Sequence, residues 1–183
     1  MLMTVEELRK YITTDESDEV VEAKLRAIEY AIRSYTNNNF CVRAFRAVAS
    51  ALPDNELHLE SPVPFAVDDT LQITESDFMQ DCLVTVVAAY GNTIVVKEEL
   101  FEEADVVITK VVYPHDVKMG VVNLMKWELN NRDKVGIASE SISRHSVTYV
   151  DQTGTNTVNG FPVALMGFLK PYKRARFGRG ISV

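Results

Sequence analysis

The sequence predicts an α+β fold, a helical core with a small antiparallel β module inserted into it. Three observations predict this. Apolar residues recur at helical spacing over roughly the first 36 positions. Between Cys41 and Tyr113 the pattern changes to short β-branched runs bounded by Pro, Gly, Asn and Asp. Helical spacing then returns after Pro114. A length of 183 residues fits one domain carrying an inserted module.

The N-terminal helical hairpin is expected over 1–40. Thr4 and Glu7 form a capping box, after which Val5, Leu8 and Ile12 share one face. TTDESDE interrupts this helix. Ser17 or Asp15 can cap a second one, whose first turn carries acids that suit the helix dipole. Val21, Leu25, Ile28, Ile32 and Tyr35 form its apolar stripe, with Glu22, Lys24, Arg26, Glu29 and Arg33 largely off it. TNNNF ends it, because Asn tolerates the left-handed C-cap conformation.

The β module, 41–113, is expected to hold four to six strands. VRAFRAVAS alternates only in part. LHLESPVPF, TLQITES, CLVTVVAAYG, NTIVVKEEL and DVVITKVVYP read as further strand segments, and Tyr90-Gly91-Asn92 as a hairpin turn. Pro53, Pro62 and Pro64 mark loops or strand edges.

The segment 114–169 is expected to complete the helical core. Asp116 can cap a helix whose face is Val117, Val121, Leu124 and Met125, with Trp127 beside it. IASESISRHSVTYV reads as a strand or extended arm, and DQTGTNTVNG as a turn-rich loop. Phe161-Pro162 should start a short last helix, and Pro171 should stop it. Residues 170–183 form a basic C-terminal tail.

Charge is partitioned along the chain. The net charge is -7, yet from Asp54 to Asp105 there are 13 acids against one base, Lys97. The tail holds five bases and no acid. Such a partition points to separate surfaces. The acidic middle repels phosphates, so nucleic-acid binding would have to rest on the tail. No apolar run approaches the ~18 residues of a membrane span, and no membrane partner is expected. The opening MLMTVEELRK lacks the pattern of a signal peptide. Cys41 and Cys82 form no CxxC and are expected to be buried thiols in a reducing compartment.

Catalytic signatures are missing. The sequence has no phosphate-binding Gly loop, nucleophile elbow or HExxH. His58, His115 and His145 are isolated in sequence, which favours packing or surface roles over metal ligation. A Cys41–His145 pair would need the fold to bring them together, and nothing in the sequence supports that. Glu98, Glu99, Glu102, Glu103 and Asp105 lack the alternation of a calcium loop and read as a solvated acidic face. No enzyme activity, cofactor or metal is expected.

The tail has three readings. Lys170, Lys173, Arg174, Arg176 and Arg179 with Tyr172 and Phe177 could contact nucleic-acid phosphates. They could instead form a solubilising terminus. They could also be an arm that orders along an acidic partner.

Three stretches carry a family resemblance. "MTVEELRKYI…DEVVEAKLRAIEYAIRSYTNNNF", "NLMKWELNNRDKVGIASESISRHSVTYV" and "GFPVALMGFLKPYKRARF" together resemble the head–tail connector (adaptor, or head-completion) proteins of tailed bacteriophages. Relatives of that family occur in prophages of Gram-positive bacteria. The resemblance implies a helical connector core and a structural role in virion assembly without catalysis. Connectors of this type form a ring, usually a dodecamer, below the portal protein after DNA packaging. The ring extends the DNA channel and joins the head to a stopper or tail protein. The resemblance implies that Phe168, Leu169, Lys170, Tyr172, Lys173, Arg174, Arg176 and Phe177 dock the portal. It implies subunit contacts through the helical hairpin, at Leu25, Ile28, Ile32 and Tyr35. DNA would only pass through the channel, and the protein would sit at the head–tail interface after assembly in the host cytoplasm. The alternative function is a nucleic-acid-binding module using the basic tail.

Overall fold

The structure is a computed structural model that describes residues 2–62, 64–131, 139–142, 145–148 and 156–175. The chain divides into two compact units. One comprises residues 1–2 and Asn39–Tyr113, the other Met3–Asn38 and Pro114–Val183.

The first unit is a closed barrel of six antiparallel strands. These are β1 (Cys41–Leu52), β2 (Glu56–Leu59), β3 (Thr70–Thr74), β4 (Leu83–Tyr90), β5 (Thr93–Val96) and β6 (Glu103–Val111), in the order β1-β2-β5-β4-β3-β6. Closure depends on β1. It pairs with β2 through Ala49–Leu52 and with β6 along most of its length, and register shifts bend it between Cys41 and Arg46 and between Ala49 and Ala51. Leu57, Leu71, Ile73, Val86, Ile94 and Ile108 are among the side chains that fill the interior. Each such burial is worth about 1.5–3 kcal/mol. A closed sheet also leaves no unpaired edge. The β4–β5 connection is Gly91-Asn92, and Gly91 has φ 58°, the left-handed first position of a tight hairpin turn. Where the chain enters and leaves the barrel, the Phe40 and Tyr113 rings pack 4.9 Å apart and the Val112 amide donates to the Phe40 carbonyl.

These features correct the predicted fold class. The chain is not a helical connector core bearing a minor β insertion. It is a sheet-rich fold with a hydrophobic cluster of its own inside a six-stranded barrel. The physical reason is the bulged β1. Its alternation is broken in sequence, and those breaks allow one strand to bridge both ends of the sheet.

In the second unit, α1 (Val5–Arg9) is a single short helix with Thr4 as its N-cap. Arg9 fixes the turn that follows by donating to the carbonyls of Thr14 and Glu16 and to the Asp18 carboxylate. Helix α2 (Asp18–Thr36) starts at the Ser17 cap and ends at Asn37, which adopts the left-handed conformation at φ 49°. Helix α3 spans His115–Asn131, so Asp116 lies in its first turn instead of capping it. Strands β7 (Ser139–Ile142) and β8 (His145–Thr148) pair as a hairpin, as do β9 (Thr157–Val158) and β10 (Phe161–Pro162). The Trp127 and Phe161 rings meet edge to face at 5.5 Å. The last element is a 3₁₀ helix, Val163–Tyr172, with Pro171 inside its final turn. The sequence reading placed its start at Phe161 and its stop at Pro171. Pairing of Phe161–Pro162 with β9 moves the start, and the shorter-range bonding of a 3₁₀ turn accommodates the proline.

Candidate docking surface at the root of the C-terminal segment

Every described feature of this site lies in the second unit. The apolar stripe of α2 buries Leu25, Ile28 and Ile32 almost completely, while Tyr35 is half-buried. Three of the four predicted subunit-contact residues are therefore core of their own protomer.

The end of α2 anchors the chain as it leaves the 3₁₀ helix. Asn38 Nδ2 donates to the Tyr172 carbonyl at 3.2 Å, and Asn37 Nδ2 to the Ala175 carbonyl at 3.0 Å. The Arg174 amide donates to the Thr36 carbonyl at 2.8 Å. One of the carbonyls left open at a helix C-terminus is thus satisfied by the tail itself. Lys173 Nζ lies 3.7 Å from the centroid of the Tyr35 ring, a close cation–π contact.

The start of α3 supplies the opposite anchor. The Tyr172 hydroxyl donates to the Asp116 carboxylate, 2.7 and 2.8 Å from its two oxygens. This hydrogen bond holds the phenol above its ordinary pKa of 10.0, and desolvation and the carboxylate's charge act in the same direction. The Phe168 ring lies against Gly120 of α3, at a place where a Cβ would come within 2.3 Å of the ring. Met166 and Leu169 are fully buried.

The predicted portal-docking residues thus divide into groups. Phe168, Leu169, Tyr172 and Lys173 pack, hydrogen-bond or stack within the unit. Lys170 and Arg174 are exposed. Arg176 and Phe177 lie outside the described residues. Ser34, Tyr35, Asn37, Asn159, Lys173 and Arg174 line a polar cleft of about 470 Å³ beside this root. Sequence reasoning missed Asp116 as a latch, Asn37 and Asn38 as tethers and Gly120 as a seat. The TNNNF run signalled a helix end, but the destinations of its side chains are more than 130 residues away in sequence.

The other candidate groups are accounted for locally. The Cys41 thiol donates to Gln72 Oε1 at 2.8 Å. Cys41 is half-buried and Cys82 exposed, so neither is the fully buried thiol expected. His58 Nδ1 is 3.3 Å from Thr93 Oγ1, and His115 is exposed. The His145 side chain lies outside the described residues. Glu98 accepts from the Thr85 amide and hydroxyl. Glu103 accepts from the Ser76 hydroxyl and the Asp77 amide, and the Ser76 bond is the main cause of its lowered pKa. Among the described residues no cluster of three or more His, Cys, Asp or Glu is placed to hold a metal ion. No described helix is long and apolar enough to cross a membrane.

This arrangement fixes one end of a basic, aromatic segment on two helix ends. It offers hydrogen bonding, stacking and charge, the means of docking. No protein-family model matches the chain, and no curated protein matches it either.

Proposed function

We propose that this chain is a structural head–tail connector of a tailed phage or prophage. It acts by assembly at the head–tail interface of the virion, after synthesis in the host cytoplasm. Copies form a ring under the portal protein, extend the DNA channel and receive a stopper or tail protein. The observation that carries this reading is the anchored root. Tyr172, Lys173 and Arg174 are held by Asp116, Tyr35 and Thr36, so the basic run beyond Ala175 departs from a fixed point. A segment tethered at one end loses less entropy when it orders on a partner. The three stretches that resemble connector proteins also share the second compact unit, apart from Asn39 and Phe40 at the end of the first.

The experiment is a pull-down of the full-length chain and a 1–175 truncation against the portal of the same genome, imaged by negative-stain microscopy. Rings on the portal with full-length protein, and their loss with the truncation, are the expected outcome. Undiminished docking by the truncation would overturn the role given to the tail. Absence of rings with either protein, together with salt-sensitive duplex binding, would favour the nucleic-acid reading.

A further inference from the structure

The polar cleft beside the root is charged against the rest of the chain. Its lining residues, Ser34, Tyr35, Asn37, Asn159, Lys173 and Arg174, all belong to the second unit. Its volume of about 470 Å³ lies within the usual range of ligand sites, about 300–1,000 Å³. Two of these residues are bases and none is an acid, in a chain with 26 acids and a net charge of -7. A concavity lined by one sign of charge selects a ligand of the other.

The two bases are held in different ways. Lys173 Nζ stands 3.7 Å from the Tyr35 ring centroid, which fixes the ammonium against one wall. Arg174 is anchored by its backbone, whose amide donates to the Thr36 carbonyl at 2.8 Å. Its side chain is exposed and has no hydrogen-bond partner among the described residues, so the whole guanidinium fork is open to a ligand. One effect opposes an anion here. Ser34, Tyr35 and Asn37 lie at the C-terminus of α2, which carries about half a negative charge. Two full positive charges outweigh it. The Arg33 and Thr36 carbonyls are also already covered, by the amides of Asn37 and Asn38 and by that of Arg174.

The asparagines decide between kinds of anion. Asn37 Nδ2 donates to the Ala175 carbonyl at 3.0 Å and Asn159 Nδ2 to the Ala31 carbonyl at 3.1 Å. These bonds orient both amides, and each side chain keeps an Oδ1 acceptor with no partner among the described residues. An ionised phosphodiester brings acceptors alone and can use only the two bases. A peptide brings a carboxylate for the bases and backbone N–H groups for the amide oxygens. A long nucleic acid would also set its phosphates against a net charge of -7, a cost that grows with every phosphate.

We infer that the cleft takes an acidic side chain from a peptide segment of a protein partner. Lys173 and Arg174 hold its carboxylate, and Asn37 and Asn159 accept from the peptide backbone beside it. The inference deepens the docking reading and rests on it only in that the partner is a protein. The partner's chain enters beside the point where this chain's own tail departs.

The test is a titration of the ¹⁵N-labelled full-length chain with a synthetic peptide, acetyl-Gly-Glu-Asp-Gly-amide, followed by nuclear magnetic resonance. The Gln-Asn version of the peptide, inorganic phosphate and a short DNA duplex are titrated in parallel. The acidic peptide is expected to move the side-chain amide signals of Asn37 and Asn159 and the backbone amides of Lys173 and Arg174, less so at high salt. Arg174→Gln should weaken its binding about tenfold, as for loss of one hydrogen bond to a charged group. The backbone bond to Thr36 survives that change, so an unchanged melting temperature should show that the variant folds. Undiminished binding by Arg174→Gln would overturn the inference, as would equal binding of the Gln-Asn peptide. Movement of the same signals by phosphate or duplex as strongly as by the peptide would assign the cleft to phosphates and overturn it too. So would a peptide that moves none of these signals. Rings on the portal without peptide binding would sink this inference alone. Peptide binding without rings would remove the connector reading and leave the cleft's ligand standing.

Discussion

At the scale of single residues, the anchored root rests on a few contacts whose loss can be measured. Gly120 is one. An alanine there gains up to about 1 kcal/mol of helix propensity. Its Cβ, however, would stand 2.3 Å from the Phe168 ring, and relieving such an overlap costs about 1–3 kcal/mol. The overlap wins. Gly120→Ala is expected to lower the melting temperature by about 2–4 °C for each kcal/mol of net loss. A rise in melting temperature would mean that the ring swings aside freely. Tyr172 is the second contact. Its pKa is raised in the folded protein, so the stability it contributes is fully present below the unfolded value near 10. That contribution is lost as pH rises through the higher folded value. Ultraviolet titration of tyrosinate is expected to show two late-titrating phenols, Tyr90 beside Glu56 and Tyr172 beside Asp116, of which only Tyr172 returns toward the ordinary range in Asp116→Asn. An unchanged titration in that variant would remove Asp116 as the cause.

At the scale of elements, the fold holds residues that composition assigns to the tail. The basic run begins at Lys170, but the 3₁₀ helix continues to Tyr172 and the tethers reach Ala175. Truncation after Leu169 removes the Tyr172 latch, the Lys173 stack and the Asn38 tether together. It should lower thermal stability. Truncation after Ala175 leaves all of them in place and should leave the melting temperature unchanged. Equal melting temperatures for the two proteins would show that the tethers contribute nothing. The stripe on α2 follows a similar logic. Leu25, Ile28 and Ile32 are spent on the protomer's own core, and truncating one costs about 2–5 kcal/mol of folding stability. A loss of assembly in such a variant would report unfolding before it reported an interface.

At the scale of the whole molecule, the chain has two separately compact units and two opposed charge reservoirs. The segment that forms the barrel is strongly acidic and exposes Phe78 and Phe101, while residues 170–183 carry five bases and no acid.

The sequence by itself determined part of the local structure, though not the start of α3 or the bounds of the last helix. Thr4 is the N-cap it indicated, Ser17 is one of the two it offered for the second helix, Asn37 lies in the TNNNF run it gave as that helix's end, and Gly91-Asn92 lies in the turn it placed between two strands. These features are fixed by interactions within a few residues, and so they are legible in a few residues. The tertiary structure decided the rest. Barrel closure depends on β1 meeting both β2 and β6, with Arg46 paired to Thr109 across more than 60 positions. The candidate site depends on Asn37 and Asn38 reaching Ala175 and Tyr172, and on Tyr172 reaching Asp116. Such contacts form only when distant segments pack, and no periodicity encodes which asparagine or aspartate will receive a tail. Helical spacing therefore overstated the helices' share of the fold, and the balance between sheet and helix was settled by which core could close.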